Sequence, residues 1–365
     1  AQCIGLAVEL LHQEIQLASD RTTFAQERSC GGDMGAEPVD FLGHVRLGGN
    51  DCQLLRHPVW IGTFRVPEHP REVGSQHLSH CILARFGQFS GLYHEGFNPR
   101  ELLDVSMVQS IAGELAGGRL SDRRPFRAPH HSASMAALIG GGLKVRPGEV
   151  SLAHNGVLFL DELPEFAPQV IDGLRQPLES GETVIARANH RVVYPSRVQL
   201  VAAMNPCKCG MAGSPGHTCR RGERCAGDYQ ARISGPFLDR IDIRIDVPAV
   251  TALDMIEPGE AEPSENVAKR VLRARQIQND RYMQMGVAGV YNNAATSAKV
   301  IEQVAQPDAE SKKLLVQAAE KFSLSARAYH RVLKVARTLA DLGGSEPIKK
   351  SHIAEALGYR IGFGT

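Results

Sequence analysis

The sequence predicts an α/β core followed by a run of helices, and three observations carry that prediction. Val157-Leu158-Phe159-Leu160 and Val198 to Ala203 are short continuous apolar runs, ended by Asp161-Glu162 and by Met204-Asn205-Pro206. Strands buried on both faces of a parallel sheet read this way. Ile241 to Val247 alternates apolar and polar residues, so a third strand with one more exposed side is expected there. After Pro248 only helical spacing is found. Strands alternating with helices, then helices alone, fit a sheet core with a helical lid.

Taken in order, Leu6 to Leu17 has the spacing of an amphipathic helix, with Leu6, Leu10 and Leu17 near one face. The stretch from about Cys30 to Asn98 is rich in Gly, His, Arg, Cys and Pro and sustains no period, so residues 1–98 are left unassigned. Glu101 to Leu115 reads as a helix with Leu103, Met107, Ile111 and Leu115 along one face, closed by Gly117-Gly118. A basic segment, Asp122 to Arg127, leads to His130-His131, and Gly140-Gly141-Gly142 follows an apolar helix-like run. A helix is expected from Pro168 to about Gln176. Thr183 to Ala188 and Arg191 to Tyr194 flank Asn189-His190 as a hairpin. In the last part, Ser264 caps a helix running to about Met285, and others lie near Asp308–Phe322, Ala326–Leu342 and His352–Tyr359. The division is therefore 1–98 unassigned, 99–250 the α/β core and 251–365 the helical lid.

Hydrophobic residues make up 43% of the 365 positions and charged residues 22%, which excludes a disordered chain, a collagen and a coiled coil. No run of about 18 apolar residues is present, so no membrane span is expected. No charged-then-apolar leader opens the sequence, and a cytoplasmic protein is the expectation. With 41 basic against 40 acidic side chains, net charge alone does not point to nucleic acid; local clusters still can. Of eight cysteines, Cys3, Cys30, Cys52 and Cys81 are scattered, whereas Cys207, Cys209, Cys219 and Cys225 crowd one Gly-rich segment. In a reducing compartment disulfides are rare, so the crowded four read as thiols or metal ligands.

An apolar strand that delivers an Asp to its carboxyl edge is how P-loop ATPases hold the nucleotide's magnesium, and a following Glu can activate the attacking water. Asp161 and Glu162 fit those roles; taken alone, the pattern fits two solvated acids at a strand end better. Asn205 follows the next buried strand, where a polar side chain would sit beside the terminal phosphate, or would simply form a turn before Pro206. Arg240, in Gly235-Pro236-Phe237-Leu238-Asp239-Arg240, has the character of an arginine finger or of a surface Arg paired with Asp239 or Asp242. Arg327 opens a helix after Ser325, from which it would touch phosphate or solvent. Four thiolates at Cys207, Cys209, Cys219 and Cys225 suffice for a closed tetrahedral zinc site, with His217 a spare ligand and reduced thiols the alternative. Arg187, His190 and Arg191 near the hairpin tip would grip nucleic-acid phosphates without reading sequence, or would stand equally well as solvated charges on a hairpin. Arg123, Arg124, Arg127, His130 and His131 form a second basic group, in which local hydrogen bonding suits the His pair better than a metal.

From about Pro99 to the end the chain strongly resembles the magnesium-chelatase-like AAA+ ATPases linked to competence and DNA branch migration. The resemblance is carried by Arg124-Pro125-Phe126-Arg127-Ala128-Pro129-His130-His131-Ser132-Ala133-Ser134 and by the run from Pro147 to Phe166 that ends Val157-Leu158-Phe159-Leu160-Asp161-Glu162-Leu163-Pro164-Glu165-Phe166. It continues through Met204-Asn205-Pro206-Cys207, Ser234-Gly235-Pro236-Phe237-Leu238-Asp239-Arg240 and Ala326-Arg327-Ala328-Tyr329-His330-Arg331. It implies a P-loop NTPase-type (AAA+) sheet with a helical lid, and ATP with magnesium at a Walker B pair Asp161/Glu162. It further implies a sensor 1 at Asn205, an arginine finger at Arg240, a sensor 2 at Arg327, and a ring, usually a hexamer. In this branch the hairpin projects into the ring pore, and DNA is the expected partner. The chain departs from the pattern in one respect that bears on activity: no Gly-x-x-x-x-Gly-Lys-Ser/Thr, whose amides and Lys would cradle the phosphates, occurs in it. The family places that loop just before the stretch held here by Leu78–Asn98, and its ribosomal-S5-like N-terminal domain is not recognisable either. Weak or absent ATP hydrolysis is therefore expected. A chelatase-type remodelling subunit for magnesium insertion into porphyrin, and a non-hydrolysing remnant, are the alternatives.

Overall fold

The computed structural model describes residues 60–64, 97, 99–115, 120, 123–142, 145–187, 190–210, 224–247 and 262–361. The helix expected over Leu6–Leu17, the scattered cysteines and Cys219 lie outside the described residues.

In chain order the elements are β1 (Trp60–Phe64), α1 (Pro99–Ala112), β2 (Phe126–Arg127), α2 (Met135–Leu138), β3 (Gly140–Gly141), β4 (Arg146–Pro147), α3 (Glu149–Leu152) and β5 (Val157–Leu160). There follow α4 (Pro168–Gly173), α5 (Arg175–Ser180), β6 (Glu182–Arg187), β7 (His190–Pro195), β8 (Gln199–Met204), α6 (Arg224–Gln230), α7 (Gly235–Leu238) and β9 (Ile243–Val247). The last part is helical: α8 (Ser264–Gln284), α9 (Ala298–Val304), α10 (Ala309–Lys321), α11 (Ala326–Leu342) and α12 (Lys350–Ile361). The fold is thus α/β with a parallel sheet and a helical C-terminal region, as the sequence predicts. No helix among the described residues is long and apolar enough to cross a membrane.

The main sheet has five parallel strands in the order β2-β5-β8-β1-β9. All four residues of β5 are buried, which is why its sequence is a continuous apolar run rather than an alternation. Its register against β8, Leu160 opposite Ala202, brings the carboxyl ends of the two strands side by side. β1, from the stretch that sequence reasoning leaves unassigned, pairs with β8 on one side and β9 on the other. Leu158, Leu160, Leu200, Ala202 and Met204 build one core with Phe166, Ile171 and Phe237. A second core joins Ile243 of β9 to Leu315, Val332, Leu333, Ala336, Ile353 and Leu357 of the helical part.

Three local expectations are corrected. Leu103, Met107 and Ile111 on α1 are 63%, 48% and 50% exposed, while Val105 and Val108 face inward. The buried pair Glu101–Arg124, with Arg124 also donating to the Asn155 carbonyl, fixes which side of α1 meets the core and overrides the longer apolar row. The hairpin closes on the rung Arg187 opposite His190, so His190 belongs to β7 rather than to the turn. Ser264 is the first helical residue of α8, and Pro263 occupies the cap. Other caps act as the sequence indicates: Asp308 accepts from the Ser311 amide at 2.8 Å, and Ser325 from the Ala328 amide at 3.1 Å.

Candidate nucleotide site and its two edges

At the carboxyl edge, β5 hands the chain directly to Asp161 and Glu162. Asp161 Oδ1 accepts from the Glu162 amide at 2.8 Å. Glu162 adopts φ 52 and ψ 44, a left-handed conformation rare for a residue with a side chain, and then caps a short 3-10 turn, Leu163–Glu165. This turn aims the Glu162 carboxylate sideways toward the loop after β2, where His131 Nδ1 lies 2.9 Å from Glu162 Oε2. The edge of the His131 ring rests against Phe166, with centroids 6.5 Å apart. Asn205 follows β8 on the opposite side of β5. The acid pair is therefore flanked by a histidine from one neighbouring strand and an amide from the other.

At the amino edge of the same sheet lie Arg240, just before β9, and Arg327, at the start of α11. Both donate to Glu179 of α5, from Arg240 Nη2 to Oε2 at 2.5 Å and from Arg327 Nη2 to Oε1 at 2.6 Å. Arg331 binds Asp242 and Arg360 binds Asp239, so α11 and α12 are fastened onto the loop entering β9. The structure thus unites Arg240 with Arg327 and sets both a strand length, roughly 15 Å, from the edge carrying Asp161, Glu162 and Asn205.

Much of the second basic group is engaged within the protein, although Arg123 is exposed. Arg124 is buried on Glu101, and Arg127 is held by Glu149 and Glu114. His130 Nδ1 is 2.9 Å from the Ser132 hydroxyl, the local bonding anticipated for it, and His131 is engaged with Glu162. The hairpin keeps Arg191 exposed, and its rung Arg187–His190 sits at the far end from a base locked by hydroxyls. There Ser196 Oγ is 2.5 Å from Thr183 Oγ1 and 3.1 Å from Ser151 Oγ.

Cys207, three residues past the end of β8, and Cys225, in α6, are buried, and Cys209 is exposed. Their three sulfurs all lie within 4.8 Å of one another. Zinc–sulfur bonds of about 2.3 Å around a tetrahedron separate sulfurs by roughly 3.8 Å, so this set fits three corners of such a site.

Sequence reasoning singled out Asp161, Glu162, Asn205, Arg240, Arg327 and the cysteines. It placed His131 only in a basic group and missed Glu179 altogether. Neither carries a local signal, because each acquires its role from a partner distant in sequence.

A parallel sheet with an acid pair at its carboxyl edge, an Asn on the adjacent strand and a helical C-terminal part defines an AAA+-like protein of the magnesium-chelatase type. Residues 93–255 match the model of magnesium chelatase subunit ChlI, and residues 261–360 match that of the ChlI C-terminal part. The chain belongs to this family. It is 48% identical over 261 residues to competence protein ComM of Haemophilus influenzae, covering 71% of this chain and 50% of that one. Against the protein YifB of Escherichia coli identity is 41% over 267 residues, again 71% and 50% of the two chains. With the magnesium-chelatase 38 kDa subunit of Acidiphilium rubrum it is 24% over 218 residues, 60% and 55% of the two chains. The chain therefore spans about half the length of the first two of these relatives.

Proposed function

We propose that this chain contributes the acidic and arginine parts of a nucleotide site in an AAA+ ring that works on DNA. The observation that carries the reading is the meeting of Asp161, Glu162 and Asn205 at the carboxyl ends of adjacent parallel strands, where open α/β sheets take their ligands. Carboxylate oxygen at Asp161 suits magnesium. Magnesium–ATP, when bound, supplies the transferable phosphoryl group and part of its charge neutralisation. Glu162 orients and deprotonates the attacking water, His131 steadies that carboxylate, and Asn205 donates toward the same water or phosphate. Arg240 and Arg327, on the opposite edge, serve the nucleotide of an adjacent protomer, which makes a ring, in this family a hexamer, the working form. Arg187, His190 and Arg191 bring the hairpin to DNA phosphates. Cys207, Cys209, Cys225 and, outside the described residues, Cys219 would hold a structural zinc, whose thiolate bonds would join α6 to the segment after β8 that carries Asn205.

Calorimetry with magnesium and ATP tests the nucleotide reading. Binding is expected to weaken at least about tenfold, some 1.4 kcal/mol, in Asp161→Ala. Binding that the substitution leaves unchanged would place the nucleotide elsewhere. The lack of a Gly-x-x-x-x-Gly-Lys-Ser/Thr segment in the chain favours a second reading, a family member that assembles without hydrolysing. No heat from either protein is the outcome that selects it.

For the DNA part, single-strand affinity is expected to fall linearly in log–log form with salt, and Arg191→Ala to flatten the slope by about 0.7 for the one phosphate contact removed. A slope near zero would discard DNA and leave the chelatase-type subunit.

A further inference from the structure

Arg240 and Arg327 share one carboxylate, but they are not equally open. The side chain of Arg240 is 9% exposed, whereas Glu179 and Arg327 are each 44% exposed. Two of the Arg240 donor groups are fixed on backbone carbonyls: Nε on Arg175 at 3.1 Å and Nη1 on Pro236 at 2.7 Å. The guanidinium is therefore set in place with its Nη2 toward the half-exposed Glu179 carboxylate. Burial pushes the Glu179 carboxyl up, and the two guanidiniums outweigh that effect, so it stays below its ordinary value.

Beside this triad a cleft of about 450 Å³ opens between α5 and α11. Arg197, Arg327, His330, Arg331 and Lys334 line it together with two acids, Glu179 and Asp242. Arg331 is balanced by Asp242, and His330 lies 2.8 Å from Glu302. Lys334 donates to the carbonyls of Ala294 and Thr296 at 3.0 and 2.7 Å. Arg197 adds an exposed cation to the same wall.

From this geometry we propose that Glu179 is a displaceable cap on an oxyanion site, and that the site takes a condensed phosphate chain. Phosphate oxygens replace the two Glu179 oxygens on Arg240 and Arg327, and the rest of the chain lies along the cationic wall of the cleft. Guanidinium forks match phosphate oxygens as well as they match carboxylate, so the exchange keeps the donors satisfied. The inference rests on the reading in which Arg240 and Arg327 face an adjacent protomer's nucleotide. It adds the residue that decides when those two arginines are available.

Titration of the full chain with tripolyphosphate, without magnesium, tests it. Glu179→Gln removes the competing charge and is expected to bind roughly tenfold more tightly than the wild type. Glu179→Asp, which keeps the charge, should stay near the wild type. Adding Arg327→Ala to Glu179→Gln should abolish the gain. This titration is read without magnesium and turns on Glu179, whereas the magnesium–ATP test turns on Asp161, so the two results succeed or fail separately. Equal affinity in Glu179→Gln and the wild type would overturn the proposal, as would a gain that survives Arg327→Ala. Thermal melts check folding, and Glu179→Ala provides the same loss of charge should the Gln variant not fold.

Discussion

Replacing Asp341 by alanine is expected to remove about 3–5 kcal/mol of folding stability, the usual cost of leaving buried cations without their partner. The Asp341 side chain is fully buried in α11. It accepts from Arg281 of α8 at 3.0 Å, from Arg337 Nε at 3.1 Å and from Asn293 Nδ2 at 2.9 Å. The Asn293 amide also donates to Thr338 at 2.9 Å, and its oxygen accepts from the Tyr282 hydroxyl at 2.6 Å. Burial raises that phenol to about 12, which keeps it a neutral donor at any working pH. One carboxylate thus answers two guanidiniums between α8 and α11, and Arg337 also donates to the carbonyls of Ser345 and Glu346. Arg281 is 20% exposed and can partly turn to water, but Arg337 is 4% exposed and cannot. Urea unfolding would show the loss as a lower midpoint at unchanged slope. Asp341→Asn, which keeps the shape and some acceptors, should lose less than alanine. A loss under about 1 kcal/mol in the alanine variant would rank the network with surface ion pairs and refute its structural weight.

If the cysteine cluster holds the proposed zinc, stripping the metal is expected to remove about 2 kcal/mol or more of stability. Structural zinc contributes folding free energy directly, because the assembled ligand set exists only in the folded protein. Metal analysis should find about one zinc per chain. Cys207→Ser and Cys225→Ser, at the two buried positions, should lose it, and Cys219→Ser should weaken it. Chelation should lower the melting temperature by about 5 °C or more, which for a domain of this size is roughly 2 kcal/mol. Protein prepared with zinc that carries none, or a melt insensitive to chelator, would return these cysteines to ordinary thiols.

Strands β5 and β8 were legible because burial on both faces leaves a mark on every residue, so Val157-Leu158-Phe159-Leu160 needs no partner to be read. Strand β1 was not. Trp60-Ile61-Gly62-Thr63-Phe64 is short and sits in a stretch without periodicity, and its strand character comes from β8 and β9 on either side. The face of α1 was misjudged for a related reason. Periodicity counts apolar side chains, whereas the helix is oriented by the charged pair Glu101–Arg124, which needs its partners to be buried.

In the candidate site, Asp161, Glu162 and Asn205 could be named because each follows a strand whose end is readable from hydrophobicity alone. His131 and Glu179 could not, since one becomes significant through Glu162 and the other through Arg240 and Arg327.

What the sequence alone determined is therefore local: which segments are strands or helices, where most of them stop, and which chemistry stands at each end. Those properties follow from backbone periodicity and caps, which act over a few residues. The tertiary structure alone decided which ends share an edge. It put the acid pair and Asn205 at one edge of the sheet, and the two arginines at the other under a single carboxylate. The order of strands in a parallel sheet is set by which apolar faces pack together across the whole chain, and no window of sequence contains that information.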